Sequence, residues 1–116
     1  MNNPKFQIFN GTNNQFYFNL KSANGEKILA SEGYLSKISC QKGIESVRQN
    51  APSDSRYRRH VSSNNQYYFV LTASNGEIIG TSETYVTQQG RENGIAAVKR
   101  DAPIATVEDL TYQKAY

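Results

Sequence analysis

Apolar and polar residues alternate over the first part of this 116-residue chain. In Lys5-Phe6-Gln7-Ile8-Phe9 the alternation puts Phe6 and Ile8 on one side, which predicts a strand. In Phe16-Tyr17-Phe18-Asn19-Leu20-Lys21 it is clearer. Phe16, Phe18 and Leu20 share one face, and Tyr17, Asn19 and Lys21 share the other. Asn24-Gly25 tolerates positive φ and closes a hairpin, so Lys27 to Ala30 returns as a third strand with Ile28 and Ala30 inward. Past Tyr34 the period changes. Cys40, Ile44, Val47 and Ala51 form one stripe of an amphipathic helix, with Ser36 as its cap and Pro52 as its stop.

The whole pattern then recurs. Asn13-Asn14-Gln15-Phe16-Tyr17-Phe18 returns as Asn64-Asn65-Gln66-Tyr67-Tyr68-Phe69, a spacing of 64 − 13 = 51 residues. From 13/64 to 52/103, 18 of 40 aligned pairs are identical, so the chain is one supersecondary unit written twice. Tyr57 aligns with Phe6, Tyr67 to Thr72 with the second strand, Asn75-Gly76 with the turn and Ile78 to Thr81 with the third strand. Thr87 to Arg100 is the second helix, stopped by Pro103. Gly43 lies inside its helix, where it costs about 1 kcal/mol relative to alanine, and recurs as Gly94. A shared cost predicts helices so close to the sheet that a Cβ would clash. Ala105 to Leu110 predicts a closing strand, and Thr111 to Tyr116 a frayed tail.

The expected fold is therefore α+β: two tandem β-β-β-α(-β) repeats sharing one antiparallel sheet, with both helices on one face. Repeat 1 spans about 5–52, repeat 2 about 56–103, and 104–116 forms the closing strand and tail. Roughly 50 residues is marginal for an isolated core, so one domain over 1–116 is expected.

The motifs also carry a family resemblance. Phe16-Tyr17-Phe18-Asn19-Leu20 with Asn24-Gly25-Glu26, Ser31-Glu32-Gly33-Tyr34, then Gly43-Ile44 with Val47, Ala51 and Pro52, resembles the YegP-like family of small bacterial proteins. The second copy matches through Tyr67-Tyr68-Phe69-Val70-Leu71, Asn75-Gly76-Glu77, Ser82-Glu83-Thr84-Tyr85, and Gly94-Ile95 with Val98, Ala102 and Pro103. The resemblance covers nearly the whole chain. It implies one sheet with exchanged terminal strands and a monomer that is a covalent pseudo-dimer. It implies no activity, substrate or cofactor.

Composition narrows the function classes. No apolar run approaches the ~20 residues of a membrane helix, and Met1 to Lys5 lacks a secretory apolar stretch, so no membrane partner is expected. The single cysteine, Cys40, forbids an internal disulfide and fits a reducing compartment, which makes the cytoplasm the expectation. Asn10-Gly11-Thr12 matches a glycosylation acceptor, yet between two apolar runs it reads more simply as a hairpin turn. With one histidine and one cysteine, no metal-ligand spacing arises, and no glycine-rich phosphate loop is present, so no metal or cofactor is expected. Glu45 and Glu92 do not align between copies and form no carboxylate pair, and Cys40 on the helix stripe reads as a small buried hydrophobe rather than half of a Cys40–His60 pair.

Two groups of residues invite a functional reading. By register the helix-free sheet face carries Tyr17, Asn19 and Lys21, then Tyr68, Val70 and Thr72, with Leu29 and Ile78 adding apolar area. Alternation sends Arg56, Arg58 and His60 to the same face. The formal charge of +3 is ordinary, but cations beside rings are what single-stranded nucleic acid needs. The structural reading is cross-strand tyrosine pairing and an edge strand charged against aggregation. The second group is Ser31, Glu32 and Tyr34, repeated as Ser82, Glu83 and Tyr85. It reads as turn hydrogen bonding with a tyrosine under the helix, or else as an enzyme site present twice. The leading expectation is a non-catalytic binding or interaction module with an unidentified ligand or protein partner. A weak single-stranded nucleic-acid binder and an enzyme built on the repeated turns are the alternatives.

Overall fold

The computed structural model of the protein describes residues 3–111, and the strands form where the alternation places them. Repeat 1 gives β1 (Lys5–Asn10), β2 (Phe16–Lys21), β3 (Lys27–Ala30) and α1 (Lys37–Asn50). Repeat 2 gives β4 (Tyr57–Val61), β5 (Tyr67–Thr72), β6 (Ile78–Thr81) and α2 (Gln88–Asp101), and β7 (Thr106–Asp109) closes the chain. A 3-10 turn at Asp54–Arg56, with no counterpart in the alternation, leads into β4. Of the expected tail only Thr111 is described, and it is buried; 112–116 lie outside the described residues.

Each helix starts where its cap supplies an oxygen to an unpaired amide. Ser36 Oγ accepts from Ser39 N–H at 3.1 Å, and Thr87 Oγ1 accepts from Gly90 N–H at 2.9 Å. The hairpins close through Gly25 and Gly76, both at φ 87°. The β1–β2 connection differs from the expected Asn10-Gly11 turn. Its left-handed residue is Asn14, at φ 63°, matched by Asn65 at φ 65°.

The sheet runs β4-β5-β6-β3-β2-β1-β7. The two hairpin triplets meet at an antiparallel β3–β6 contact, Ala30 opposite Thr81. All pairs are antiparallel except β7, which lies parallel to β1. The sheet is therefore mixed, since the chain reaches β7 from β6, in the middle of the sheet, by a crossover through α2 rather than by a tight turn.

Both helices lie over one face, and each reaches across the repeat boundary. α1 covers β2 and also β5 and β6, while α2 covers β5 and β3. Phe6, Phe18, Leu20, Leu29, Ile44 and Val47 join Phe69, Leu71, Ile95 and Val98 in one buried cluster. The glycines explain how close the helices come. A Cβ built on Gly43 would stand 2.3 Å from Tyr34 Oη and 3.2 Å from Phe18 Cε2, and Gly94 meets Tyr85 and Phe69 at the same distances.

The third strands depart from simple alternation. Leu20 pairs with Leu29 and Lys21 with Lys27, so Ile28 is an extra residue in a bulge. The bulge shifts the register by one. Leu29 therefore faces the core, fully buried, and does not lie on the free face as expected. Ala30, opposite Asn19, turns outward instead of inward, while Ile28 stays in the core. Ile78, opposite Thr72, remains on the free face.

The closing strand is held by side chains as well as by its ladder. Leu110 N–H donates to Ile8 O at 2.8 Å, Arg48 Nη2 donates to Ala105 O at 2.6 Å, and Lys37 Nζ reaches Asp109 Oδ2 at 2.9 Å. The Lys37 hydrogen bond, helped by Thr111, pulls the Asp109 carboxyl down to about 2. Unfolded aspartates titrate near pH 4, so a depressed folded value stabilises fully above about pH 4 and is lost as pH falls toward 2. After correction for intrinsic rates, amide exchange at Leu110 should accelerate relative to the core across that window, and Asp109→Asn should remove the effect. Constant relative protection of Leu110 between pH 4 and 2 would contradict this role.

Candidate functional site

Directly opposite residues share a face, so the pairing registers map the helix-free side of the sheet. One row crosses all the strands: Arg58, Val70, Thr81, Ala30, Asn19, Gln7 and Glu108. Tyr17 lies two residues from this row on β2 and Tyr68 two residues from it on β5. Those strands run in opposite directions, which sends the tyrosines toward opposite ends. With three strand spacings between them, they stand on the order of 20 Å apart. The tyrosines thus belong to two separate patches, not one.

Each has a ring partner supplied by the neighbouring strand, β1 for Tyr17 and β4 for Tyr68. Phe9 stacks on Tyr17 with centroids 5.7 Å apart, and at the equivalent position His60 lies against Tyr68 at 5.3 Å. Asn13 Nδ2 also donates to Tyr17 Oη at 3.0 Å. Phe9 was not singled out in the sequence, although its alignment with His60 is the signal that would have found it.

The patches differ in charge chemistry. Lys5, Lys21 and Lys27 stand directly opposite one another across β1, β2 and β3, but at the other end of these strands from Phe9 and Tyr17. Lys27 is answered by Glu83 of the other repeat at 2.8 Å. A shallow depression there is lined by Asn3, Lys5, Gln7, Lys21, Ser22 and Gly25. On the other repeat β4 and β5 bring Arg58, His60 and Tyr68 together, with Arg58 opposite Val70 and His60 opposite Tyr68, whereas Arg56 lies in the 3-10 turn beside Thr72, at the other end of β5 from Tyr68. Among the described residues neither Arg56 nor Arg58 has a carboxylate partner; Arg58 Nη1 donates to Ser55 O at 2.8 Å.

Arg59 behaves differently because alternation turns it to the helix side. It binds Glu92 on α2 and Asp54, and Lys99 also reaches Asp54 at 2.8 Å. Hydrogen bonds from Lys99 and then Arg59 lower the Asp54 carboxyl, and Arg59 lowers that of Glu92. This network ties the 3-10 turn and β4 to α2, and its only mark along the chain is the opposite charges.

The repeated turn residues are engaged with the backbone. Ser31 Oγ accepts from Phe18 N–H at 2.8 Å and donates to Glu32 O; Ser82 repeats this with Phe69 and Glu83. Tyr34 stacks on Phe18 at 6.2 Å and pairs through its backbone with Phe16, as Tyr85 does with Tyr67. Burial raises both phenols, which keeps them protonated rather than activated. Glu32 is exposed and Glu83 is spent on Lys27. Cys40 is fully buried beneath α1, its thiol pushed to about 11 by burial, and it stands on the opposite side of the sheet from His60. The described residues contain no group of three or more metal-ligating side chains.

Comparison with known proteins fits this picture. A family model for a domain of unknown function (DUF1508) matches residues 12–57 and again 62–109, so each match ends on the strand that follows a helix. The UPF0339 protein YegP of Escherichia coli is 50% identical over 106 residues, 91% of this chain and 96% of that one. A UPF0339 protein from the 5′ region of the ptx operon of Stutzerimonas stutzeri is 45% identical over 90% of this chain and 95% of its own. The solution structure of Escherichia coli yegP superposes with a TM-score of 0.91 at 46% identity, covering 98% of each chain. That of a Shewanella oneidensis UPF0339 protein gives 0.88 at 42%, covering 93% of this chain and 92% of the other.

Proposed function

Given that the chain belongs to the DUF1508 family, here with two copies of the domain, we propose that it is a small non-catalytic binding module for an anionic partner. It works as a monomer in the cytoplasm, its two repeats standing in for two subunits. The observation that carries this reading is the Arg58–His60–Tyr68 group on the helix-free face, with Arg56 farther along the same face. It sets Arg58, a cation without a carboxylate partner among the described residues, beside a ring pair, where an approaching anion would meet little competing charge. The residues best suited to acid–base or nucleophilic work are otherwise committed: Ser31 and Ser82 to the backbone, Tyr34 and Tyr85 under the helices, and Cys40 in the core.

A second reading makes the partner single-stranded nucleic acid, with phosphates on Arg56 and Arg58 and a base on the exposed side of the His60–Tyr68 pair. The roughly 20 Å separation from Tyr17 limits that contact to a few nucleotides. Titration at low salt with a short oligothymidylate and with an acidic peptide of equal charge, read at the His60 and Tyr68 ring signals, tests both readings. At least one probe should move those rings, weaken steeply with salt and weaken further on Arg58→Ala. Silence of both rings toward both probes would contradict the proposal, and tighter binding of the oligonucleotide would select the second reading.

A further inference from the structure

The two repeats are related by a pseudo-twofold axis between β3 and β6, yet their outer edges are not equivalent. β1 is covered by β7, whereas β4 pairs with β5 alone among the described residues. The covalent join explains the difference. By the 51-residue offset, β7 (106–109) corresponds to 55–58, and β1 (5–10) corresponds to 56–61. One segment, Ser55 to Val61, must therefore be both the exit of repeat 1 and the first strand of repeat 2. It serves as β4, so two edges share a single closing strand.

β1 consequently shows what a strand seated against β4 would look like. On β1, Pro4 O accepts from Thr106 N–H at 3.4 Å and Ile8 O from Leu110 N–H at 2.8 Å. The equivalent positions are Ser55, in the 3-10 turn that leads into β4, and Arg59 on β4 itself. Ser55 O is taken by the Arg58 guanidinium, a side chain standing where the twin has a backbone amide. The residues beside the seat are changed in a consistent direction. Glu108 and Asp109 lie opposite Gln7 and Ile8, and the counterparts of Gln7 and Ile8 are Arg58 and Arg59. The edge also loses its cover: Ile8 is fully buried, whereas Arg58 to Val61 are exposed.

We propose that the open edge of β4 takes an extended acidic segment of a partner protein as an eighth strand, parallel to β4, with successive carboxylates at Arg58 and Arg59. This deepens the anionic-partner reading and rests on it. Backbone hydrogen bonds would supply the attachment and the arginines the choice of partner. Asp54 and Glu92 already neutralise Arg59 in part, so Arg58, which has no carboxylate partner among the described residues, contributes most of the selectivity. On binding, its guanidinium leaves Ser55 O for the incoming carboxylate. Charge at this edge also explains how it stays open without pairing to another copy of itself.

The probe is a synthetic peptide of the chain's own closing strand, residues 103–111, titrated into the isotope-labelled full-length protein at low salt. Saturable shifts and slowed exchange are expected at the amide of Arg59, since that of Tyr57 already donates to Asp54 O. Arg58→Glu, an exposed change, should weaken binding about tenfold. A peptide with lysines at the Glu108 and Asp109 positions should fail on the original protein and bind the Arg58→Glu variant. Shifts confined to the His60 and Tyr68 rings would overturn the strand while sparing the anionic-partner reading; no response to any anion would overturn both. Shifts only along β1, equal binding of the lysine peptide, or concentration-dependent association through β4 without peptide would each overturn the proposal.

Discussion

Phe18→Ala should cost roughly 3–5 kcal/mol, a large share of the ~5–15 kcal/mol that holds a domain folded. Phe18 is fully buried. Its ring meets Phe6 edge-on at 5.8 Å and stacks against Tyr34, whose hydroxyl lies beneath Gly43 of α1. Removing the ring leaves a void that α1 cannot close, because Tyr34 already fills the space under the helix glycine. Chemical denaturation measures the loss. Phe69→Ala, with Tyr85 and Gly94 in the same arrangement, should give a loss of similar size. A change below 1 kcal/mol at either position would show that the cluster relaxes freely.

The second large effect lies at the axis between the repeats. Gly80 corresponds to Leu29, and an added Cβ would stand 2.5 Å from Leu29 Cδ2. Two leucines cannot occupy that space, so the unit is forced to be asymmetric where it meets its own copy. Gly80→Leu should therefore destabilise by about 3 kcal/mol or more, at the upper end of overpacking. Leu29→Gly should cost at least the roughly 2–5 kcal/mol of a leucine truncation. The two together should cost much less than their sum, because one leucine again fills one space from the other side. Additive losses would mean that the positions do not share a volume.

What the sequence made legible follows from which interactions are local. Period-two alternation at Phe16 to Lys21, and helical spacing at Cys40 to Ala51 with Ser36 as cap and Pro52 as stop, placed those elements within a residue of their observed ends. The 51-residue repeat carried the rest of the plan to the second half. The bulge at Ile28 was invisible, because alternation presumes one residue per rung and only the partner strand reveals an extra one. It moved Leu29 from the free face into the core. The parallel seat of β7 was hidden for a related reason, since nothing in Thr106 to Asp109 specifies which distant edge it joins.

Site residues were harder to read. Register put Arg56, Arg58 and His60 on the free face, and His60 stands directly opposite Tyr68, which is a one-strand relation. It could not show that Tyr17 lies at the far end, because that depends on the order of the four strands between β5 and β2 inclusive. The bare β4 edge was implicit in the alignment all along, as two roles assigned to Ser55 to Val61. It became visible only once β7 was seen lying against β1.

The central claim is that both repeats share one core and melt as one body. Native-state hydrogen exchange on Phe18→Ala tests it most directly. If the claim holds, protection at Leu71 and Val98 in repeat 2 falls by the same free energy as at Leu20 in repeat 1. A loss confined to the repeat that carries the substitution, with the other left at its original protection, would contradict it.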